Sequence, residues 1–277
     1  MDFNKNLKIC VIGCGSIGTE IAFAVCSGRV PNMTVRSIFD IDKARARKLL
    51  SVLNEDIIIS DSITEIINDE KIDLVVECVS PSFVSNNGIE ILQSGISMLI
   101  LSSGALIDKN FYEKVNQACN LKDVQVYIPS GAVGGIDTIK AVKTLLKTVT
   151  IVTTKPPKAL LGAPGFKEYE NSIIDEKFTV FEGSAIEAVN LFPSNLNVSA
   201  TISIVGVGPE RTRVKVIADP NASDNIHEIY VTSEAGDFMF KFQNKPHKTN
   251  KKTSYLAILA AIETLRSISE SKILIGT

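Results

Sequence analysis

Histidine is scarce in this chain, which has only His227 and His247 among 277 residues. Asp and Glu do not gather with them at ligand spacing, so the sequence offers no metal site. The five cysteines (Cys10, Cys14, Cys26, Cys78 and Cys119) form no Cys-x-x-Cys pair and no zinc-type spacing. They read as reduced thiols of a cytoplasmic protein rather than a disulfide framework. Long apolar runs are also missing. None reaches about 18 residues, and the opening Met-Asp-Phe-Asn-Lys-Asn contains no hydrophobic signal region, so neither secretion nor a membrane span is expected. Nor is there an excess of one charge. Lys and Arg number 29 against 31 Asp and Glu, a net −2 that gives no reason to expect nucleic acid or an anionic membrane as partner. What remains is an ordinary globular composition, on a chain long enough for two domains with a substantial core.

The most informative stretch comes early. Lys8-Ile9-Cys10-Val11-Ile12-Gly13-Cys14-Gly15-Ser16-Ile17-Gly18 runs from an apolar strand pattern into Gly-x-Gly-x-x-Gly, then into a helical pattern over Thr19–Cys26. Gly13 permits the tight turn out of the strand, Gly15 lets the backbone approach a pyrophosphate, and Gly18 allows close helix–strand packing. The free N–H groups of Ser16, Ile17 and their neighbours at the helix start would face the phosphates. Asp40 closes the next apolar segment, Val35–Phe39, at the distance expected for a carboxylate that binds a ribose 2′-OH and repels a 2′-phosphate. NAD is therefore favoured, while Arg36 and the Lys43/Arg45/Arg47 group leave NADP open.

Alternation of strand and helix patterns continues to about residue 130. Strands are expected at 7–12, 35–39, 57–59, 74–79, 97–101 and 124–128. Helices are expected at 17–27, 43–53, 62–68, 82–93 and 108–119. This series predicts an α/β unit, a Rossmann domain over 1–130 with a doubly wound parallel sheet. The pattern then changes. A helix is expected over 136–147, followed by period-two segments at 149–154, 197–205, 213–218, 226–232 and 237–243. The last two flank Ser233-Glu234-Ala235-Gly236, a hairpin loop. Residues 131–252 thus read as an α+β domain on a mixed or antiparallel sheet. A final helix over 253–270, opened by Thr253-Ser254, has no local partner and is expected to pack back on one of the two domains.

A Rossmann domain does not fix a reaction, and dehydrogenase, reductase, methyltransferase and ligand sensor all remain open from Gly13 to Asp40 alone. More is carried by the segments that follow the strand ends: Cys78-Val79-Ser80-Pro81, where Ser80 is placed to line the far ribose; Ser102-Ser103-Gly104-Ala105; and Pro129-Ser130-Gly131-Ala132-Val133-Gly134-Gly135-Ile136-Asp137. Further on come Thr153-Thr154-Lys155-Pro156-Pro157, Val180–Ala185, Phe192-Pro193-Ser194-Asn195-Leu196-Asn197-Val198-Ser199-Ala200-Thr201, and Asn225-Ile226-His227-Glu228.

With these residues the sequence closely resembles the L-aspartate dehydrogenase family, from the glycine fingerprint to Lys252-Thr253-Ser254-Tyr255-Leu256. Its Lys-rich segment 245–252 departs from the more acidic family pattern. The resemblance implies NAD(P)-dependent oxidation of L-aspartate to iminosuccinate, which hydrolyses to oxaloacetate and ammonia or feeds quinolinate and pyridine nucleotide synthesis. It implies a homodimer, His227 as acid/base, and Ala132 and Asn197 as dinucleotide contacts. Histidine suits the proton transfer because its ordinary pKa lies near neutrality. His247, in the Lys-rich loop, reads as a solvated bystander. For the two substrate carboxylates the cationic and N–H-rich candidates are Lys155, Asn195, Lys252, Thr253 and Ser254; Arg211 and Arg213 share a face with Lys215 and read equally well as surface charge. Two alternatives stand beside this reading: a homoserine dehydrogenase-like or other amino-acid or oxo-acid reductase, and a non-catalytic NAD(P)-binding sensor.

Overall fold

The computed structural model describes residues 6–53, 56–193, 196–248, 250 and 253–270. The chain divides into two compact units. Of the described residues, one holds those up to Pro129 together with Ile258–Glu270, and the other runs Ser130–Ala257.

The first unit is the expected Rossmann sheet. Its elements are β1 (Leu7–Ile12), α1 (Ser16–Cys26), β2 (Met33–Phe39), α2 (Lys43–Leu53), β3 (Ile58–Ile59), α3 (Ile63–Asn68), β4 (Leu74–Glu77), α4 (Pro81–Gln93), β5 (Ser97–Ile100), α5 (Lys109–Lys122) and β6 (Val126–Tyr127). Strand order is β3-β2-β1-β4-β5-β6, and every pairing is parallel. Ile9, Val11, Leu74, Val76 and Leu99 pack on one face with Ala22, Val25 and Leu49 of α1 and α2. On the other face Met98 meets Gly88 of α4, beside Phe111 of α5. Burial on both faces is why Ile9–Ile12 of β1 and Leu74-Val75-Val76 of β4 are continuous apolar runs rather than alternating ones. The order in which strands are added reverses between β1 and β4, and the crevice at the carboxyl end of such a switch point is where open α/β sheets bind ligands.

The second unit contains α6 (Ile136–Ala141), β7 (Leu146–Lys155), α7 (Pro157–Leu160), β8 (Phe178–Ser184), α8 (Ala185–Leu191), α9 (Asn197–Val205), β9 (Arg213–Ala218), β10 (Asn225–Ser233) and β11 (Gly236–Asn244). Its sheet has the order β11-β10-β7-β9-β8. It is mixed, because β7 and β9 run parallel while the other neighbours are antiparallel. The β10–β11 hairpin turns through Glu234-Ala235, with Ser233 opposite Gly236. One face of β7 and β10 is covered: Val149, Ile151, Ile229 and Val231 pack with Ile139 of α6 and with Val198 and Ile202 of α9.

Two expectations fail here. Residues 197–205 form a helix, not a strand. Val198, Ala200 and Ile202 alternate, but Val198, Ile202 and Val205 also recur at helical spacing, and the latter set is the one that meets the core. The predicted helix over 136–147 ends at Ala141, passes through a 3₁₀ turn at Lys143–Leu145 and becomes β7. The β-branched series Thr148-Val149-Thr150-Ile151-Val152 draws the chain into the sheet. Strand β8 and helix α8 lay in a stretch without clear periodicity, although Ser184 and Glu187 form a capping box there.

The last helix, α10 (Tyr255–Glu270), places Ile258, Ala261, Ile262 and Leu265 in the core of the first unit, all nearly inaccessible to solvent. Among the described residues no helix is long and apolar enough to cross a membrane.

Candidate active site

In the first unit the glycine loop forms a cradle. Gly13 has φ +98, and a Cβ on it would lie 2.6 Å from the carbonyl oxygen of Cys78. A Cβ on Gly18 would lie 1.9 Å from the carbonyl oxygen of Gly13, which locks the turn against α1. Gly15 is the opposite case, since a Cβ there would meet no protein atom within 4 Å. The open space belongs to a cavity of about 440 Å³ lined by Gly13, Gly15, Asp40, Arg45, Cys78, Val79, Phe83 and Asn87. Only glycine leaves that backbone bare, so the cavity fits a dinucleotide whose pyrophosphate rests on it. Ser16 and Ile17 open α1, and Ile17 also leans on the core. Ser80 caps α4, its Oγ accepting the Phe83 N–H at 3.2 Å.

Asp40 lines this cavity at the end of β2 and is nearly buried. Its carboxylate accepts N–H hydrogen bonds from Cys14 (2.8 Å) and Asp42 (2.9 Å), which ties the glycine loop to β2. The basic residues that leave NADP open are differently engaged. Arg36 pairs with Asp69 at 2.9 Å, and Lys43 pairs with Asp61 at 2.9 Å. Arg45 reaches the cavity, with its Nε 3.3 Å from Asp42. A second, wider depression of about 670 Å³ lies at the amino end of β1 and β2, beside Lys8, Thr34 and Arg36. It is remote from the glycine loop and is open to solvent.

In the second unit the covered face of the sheet changes from apolar to polar along β7 and β10. After Val149 and Ile151 come Thr153 and Lys155; after Val231 and Ile229 come His227 and Asn225. Thr153, Lys155, His227 and Asn225 are each at most 3 % exposed. Period-two geometry puts them on one face, and His227 pairs directly with Thr153 across the ladder. Thr153 Oγ1 lies 3.0 Å from His227 Nδ1. Burial, reinforced by the charge of Lys155, pushes the imidazole pKa down to about 3. Burial likewise lowers the Lys155 ammonium to about 8. At neutral pH the pair is thus a neutral imidazole beside a cation that can release its proton.

The turn Gly131–Gly135 lies over the same region. A Cβ on Gly134 would touch the ring of Phe242, the residue paired with His227 on β11. Gly135, with φ +75, comes so close to Phe240 that a Cβ would sit 2.7 Å from its ring. Ala132 within this turn is held by Asn244, whose Nδ2 donates to the Ala132 carbonyl at 2.7 Å. Asn225 Nδ2 donates to Ser254 Oγ at 3.2 Å. Asn197 is the half-buried first residue of α9, and Thr253 is half-buried with its carbonyl accepting the His247 N–H at 2.8 Å. Asn195 and Lys252 lie outside the described residues. Arg213 and Lys215 sit at the surface of β9, Lys215 with Glu182 at 3.5 Å.

One expectation is corrected. His247 is not solvated: it is 5 % exposed, with its ring 5.8 Å from that of Tyr255. Its neighbours Lys245 and Lys248 turn outward and leave the imidazole inside. Thr153 and Asn225 stand in the quoted segments without a role of their own, and Asn244 likewise has none there. The available signal was their two-residue offset from Lys155, His227 and Phe242 on alternating strands. Among the described residues no group of three or more His, Cys, Asp or Glu is arranged to hold a metal ion.

Comparison with known proteins places this geometry. The profile of the homoserine dehydrogenase NAD-binding domain matches residues 13–129, and that of the aspartate dehydrogenase C-terminal domain matches residues 137–268. The L-aspartate dehydrogenase of Nitrosopumilus maritimus is 39% identical, with 98% of this chain and 99% of the relative covered. That of Methanosarcina mazei is 43% identical over 95% and 97%. The crystal structure of aspartate dehydrogenase from Thermotoga maritima superposes with a TM-score of 0.76 at 30% identity, covering 98% of this chain and 99% of its own. An inositol dehydrogenase from Lactobacillus casei with bound NAD(H), at 10% identity and a TM-score of 0.59, shares the fold.

The NAD-binding match over the glycine cradle and the dehydrogenase relatives along nearly the whole chain define an enzyme of the NAD(P)-dependent dehydrogenase class. Within that class the chain belongs to the L-aspartate dehydrogenase family, and the match runs through both units.

Proposed function

We propose that this protein oxidises L-aspartate to iminosuccinate, with NAD as the favoured cofactor and NADP as a second. The observation that carries the proposal is the buried trio of Thr153, His227 and Lys155. A dicarboxylate with an α-ammonium group needs a cation to hold it and a neutral base to take its proton, and the trio offers both. Bound in the Gly13–Gly18 cradle, the dinucleotide supplies the acceptor for the hydrogen and electron pair that leave Cα. His227 takes the proton lost from nitrogen. Its pKa near 3 keeps it unprotonated before substrate arrives. Two incoming carboxylates offset the Lys155 charge and draw the imidazole back toward neutrality, where a base works best. Lys155 anchors a carboxylate, with Thr253 and Ser254 and the two undescribed residues Asn195 and Lys252 as further contacts. Ala132 and Asn197 hold the nicotinamide end, the Asn197 carboxamide matching that of the ring. Asp40 receives the ribose hydroxyls, supported by Ser80, Ser16 and Ile17 along the cradle. Arg45, in the same cavity, is what admits a 2′-phosphate.

The product hydrolyses to oxaloacetate and ammonia or passes to quinolinate synthesis. The chain works as a cytoplasmic homodimer, residues 1–130 serving the cofactor and 131–252 the substrate and subunit contact. Assaying the purified protein with NAD and NADP against aspartate, homoserine and other amino acids tests the reading. Aspartate-dependent formation of reduced nicotinamide is expected. Reduction with homoserine alone would transfer the chain to another substrate, and cofactor binding without any turnover would make it a sensor.

A further inference from the structure

Glu77 interrupts the apolar run Leu74-Val75-Val76 at the end of β4, and it is completely inaccessible to solvent. It sits at the switch point, paired with Ile12 of β1 on one side and Ile100 of β5 on the other. Four donors converge on its carboxylate. Oε1 accepts the N–H of Val79 (2.7 Å), the N–H of Ser80 (2.9 Å) and the hydroxyl of Ser102 (2.8 Å), and Oε2 accepts the N–H of Ser102 (3.0 Å). Burial raises its pKa above the ordinary carboxylate value, a rise that the four donated hydrogen bonds oppose without cancelling. Such a ring of donors requires a group that only accepts, which an ionised carboxylate is and an amide is not.

We propose that Glu77 is a positioning residue of the cofactor cleft, acting through the loop Cys78–Ser80 and not by touching the dinucleotide. The inference rests on the reading of Gly13–Gly18 as the dinucleotide cradle. Cys78 and Val79 line the cleft and Ser80 starts α4, whose Phe83 and Asn87 line it too, whereas Glu77 itself does not. The height of this loop above the cradle is tightly set, since the Cys78 carbonyl already occupies the space that a Cβ on Gly13 would need. Glu77 fixes that height by holding two consecutive loop N–H groups, and it secures itself against the turn after β5 through Ser102. Without an acceptor at this point the loop must turn its N–H groups elsewhere, and the cleft changes shape.

The test is direct titration of NADH into the intact protein, alongside steady-state kinetics. Glu77→Gln keeps the shape but sets an NH₂ against the Ser102 N–H. Its NADH affinity is expected to fall roughly ten- to hundredfold, as for loss of a charge-assisted hydrogen bond, while KM for aspartate and kcat at saturating NAD stay within about threefold. Ser102→Ala removes one donor of the four and should weaken NADH about two- to fivefold. NADH affinity of Glu77→Gln within twofold of wild type overturns the proposal, as does a parallel loss of NADH affinity, aspartate KM and thermal stability. If Glu77→Gln does not fold, Ser102→Ala decides, and unchanged NADH affinity in it is equally fatal. A wild-type protein that fails to bind NADH sinks the cradle reading itself. One that binds NADH without oxidising aspartate leaves the positioning role testable by titration alone.

Discussion

Thr153 Oγ1 stands 3.0 Å from Nδ1 of His227, directly across the β7–β10 ladder and out of reach of solvent. The hydrogen bond accommodates either tautomer, since a hydroxyl can donate or accept. With the proton on Nδ1 the ring donates to Thr153 and leaves the Nε2 lone pair free to accept from substrate; with the proton on Nε2 the hydroxyl donates to Nδ1 and the ring has no lone pair to offer. A base requires the first arrangement. Thr153→Val keeps the volume and removes the partner, so kcat should fall about three- to tenfold, in line with one neutral hydrogen bond. NADH affinity should not change. An unaltered kcat would show that the ring is oriented by something else.

Removing the base outright is the harsher test. His227→Asn should lower kcat by about 10² to 10⁴ with little effect on NADH binding. The same variant reports on stability. His227 titrates near 3 in the fold against 6.5 when unperturbed. Between these values the unfolded chain takes up a proton that the folded chain refuses, so stability falls as pH drops below 6.5 and continues to fall toward 3. Above 6.5 the residue contributes no pH dependence. The urea midpoint of the wild type should therefore drop more between about pH 7 and about pH 5 than that of His227→Asn. Equal drops would mean that His227 is protonated in the folded protein.

Lys155 is buried without losing its ability to titrate in a working range, because burial lowers its pKa to about 8. Below that value it is an ammonium that can hold a carboxylate, and above it the charge is gone. KM for aspartate should rise through the alkaline limb as pH passes 8. Lys155→Met should raise KM at neutral pH by about ten- to hundredfold and abolish that limb, leaving NADH affinity alone. A variant that keeps both the wild-type KM and its pH dependence would remove Lys155 from the substrate site.

The sequence was most legible where geometry is local. Gly13, Gly15 and Gly18 act within one turn, and Asp40 follows at a spacing set by one helix and one strand, so the cradle can be read without knowing the rest. The trio in the second unit is a different matter. Thr153 and His227 are 74 residues apart and meet only because β10 pairs with β7, a register that no local pattern specifies. Asn244 and Ala132 are farther apart still. Helix α9 was misread because its nine residues satisfy both periods, and only the apolar face of β7 decides between them. His247 was misread for a similar reason. Its neighbours are lysines, but the hydrogen bond from its N–H to the Thr253 carbonyl folds the segment back and encloses the ring.

The division of labour among the loop glycines gives the sharpest contrast. Gly18 and Gly15 have separate jobs in the motif, packing and pyrophosphate approach, and the protein treats an added methyl at each in opposite ways. At Gly18 the Cβ would fall 1.9 Å from the Gly13 carbonyl oxygen, so β1 and α1 must separate. Gly18→Ala should lose several kcal/mol, about the scale of overpacking, and lose cofactor binding as a consequence. At Gly15 the Cβ meets nothing of the protein and φ is −77, within reach of any residue. Gly15→Ala should melt within a degree or two of wild type, since a compatible Gly→Ala change costs no stability. It should nevertheless weaken NADH by about ten- to hundredfold, because the methyl projects into the space that the pyrophosphate needs. Paired thermal melts and NADH titrations of the two variants check this. If Gly15→Ala binds NADH as tightly as wild type, the dinucleotide does not lie on that turn.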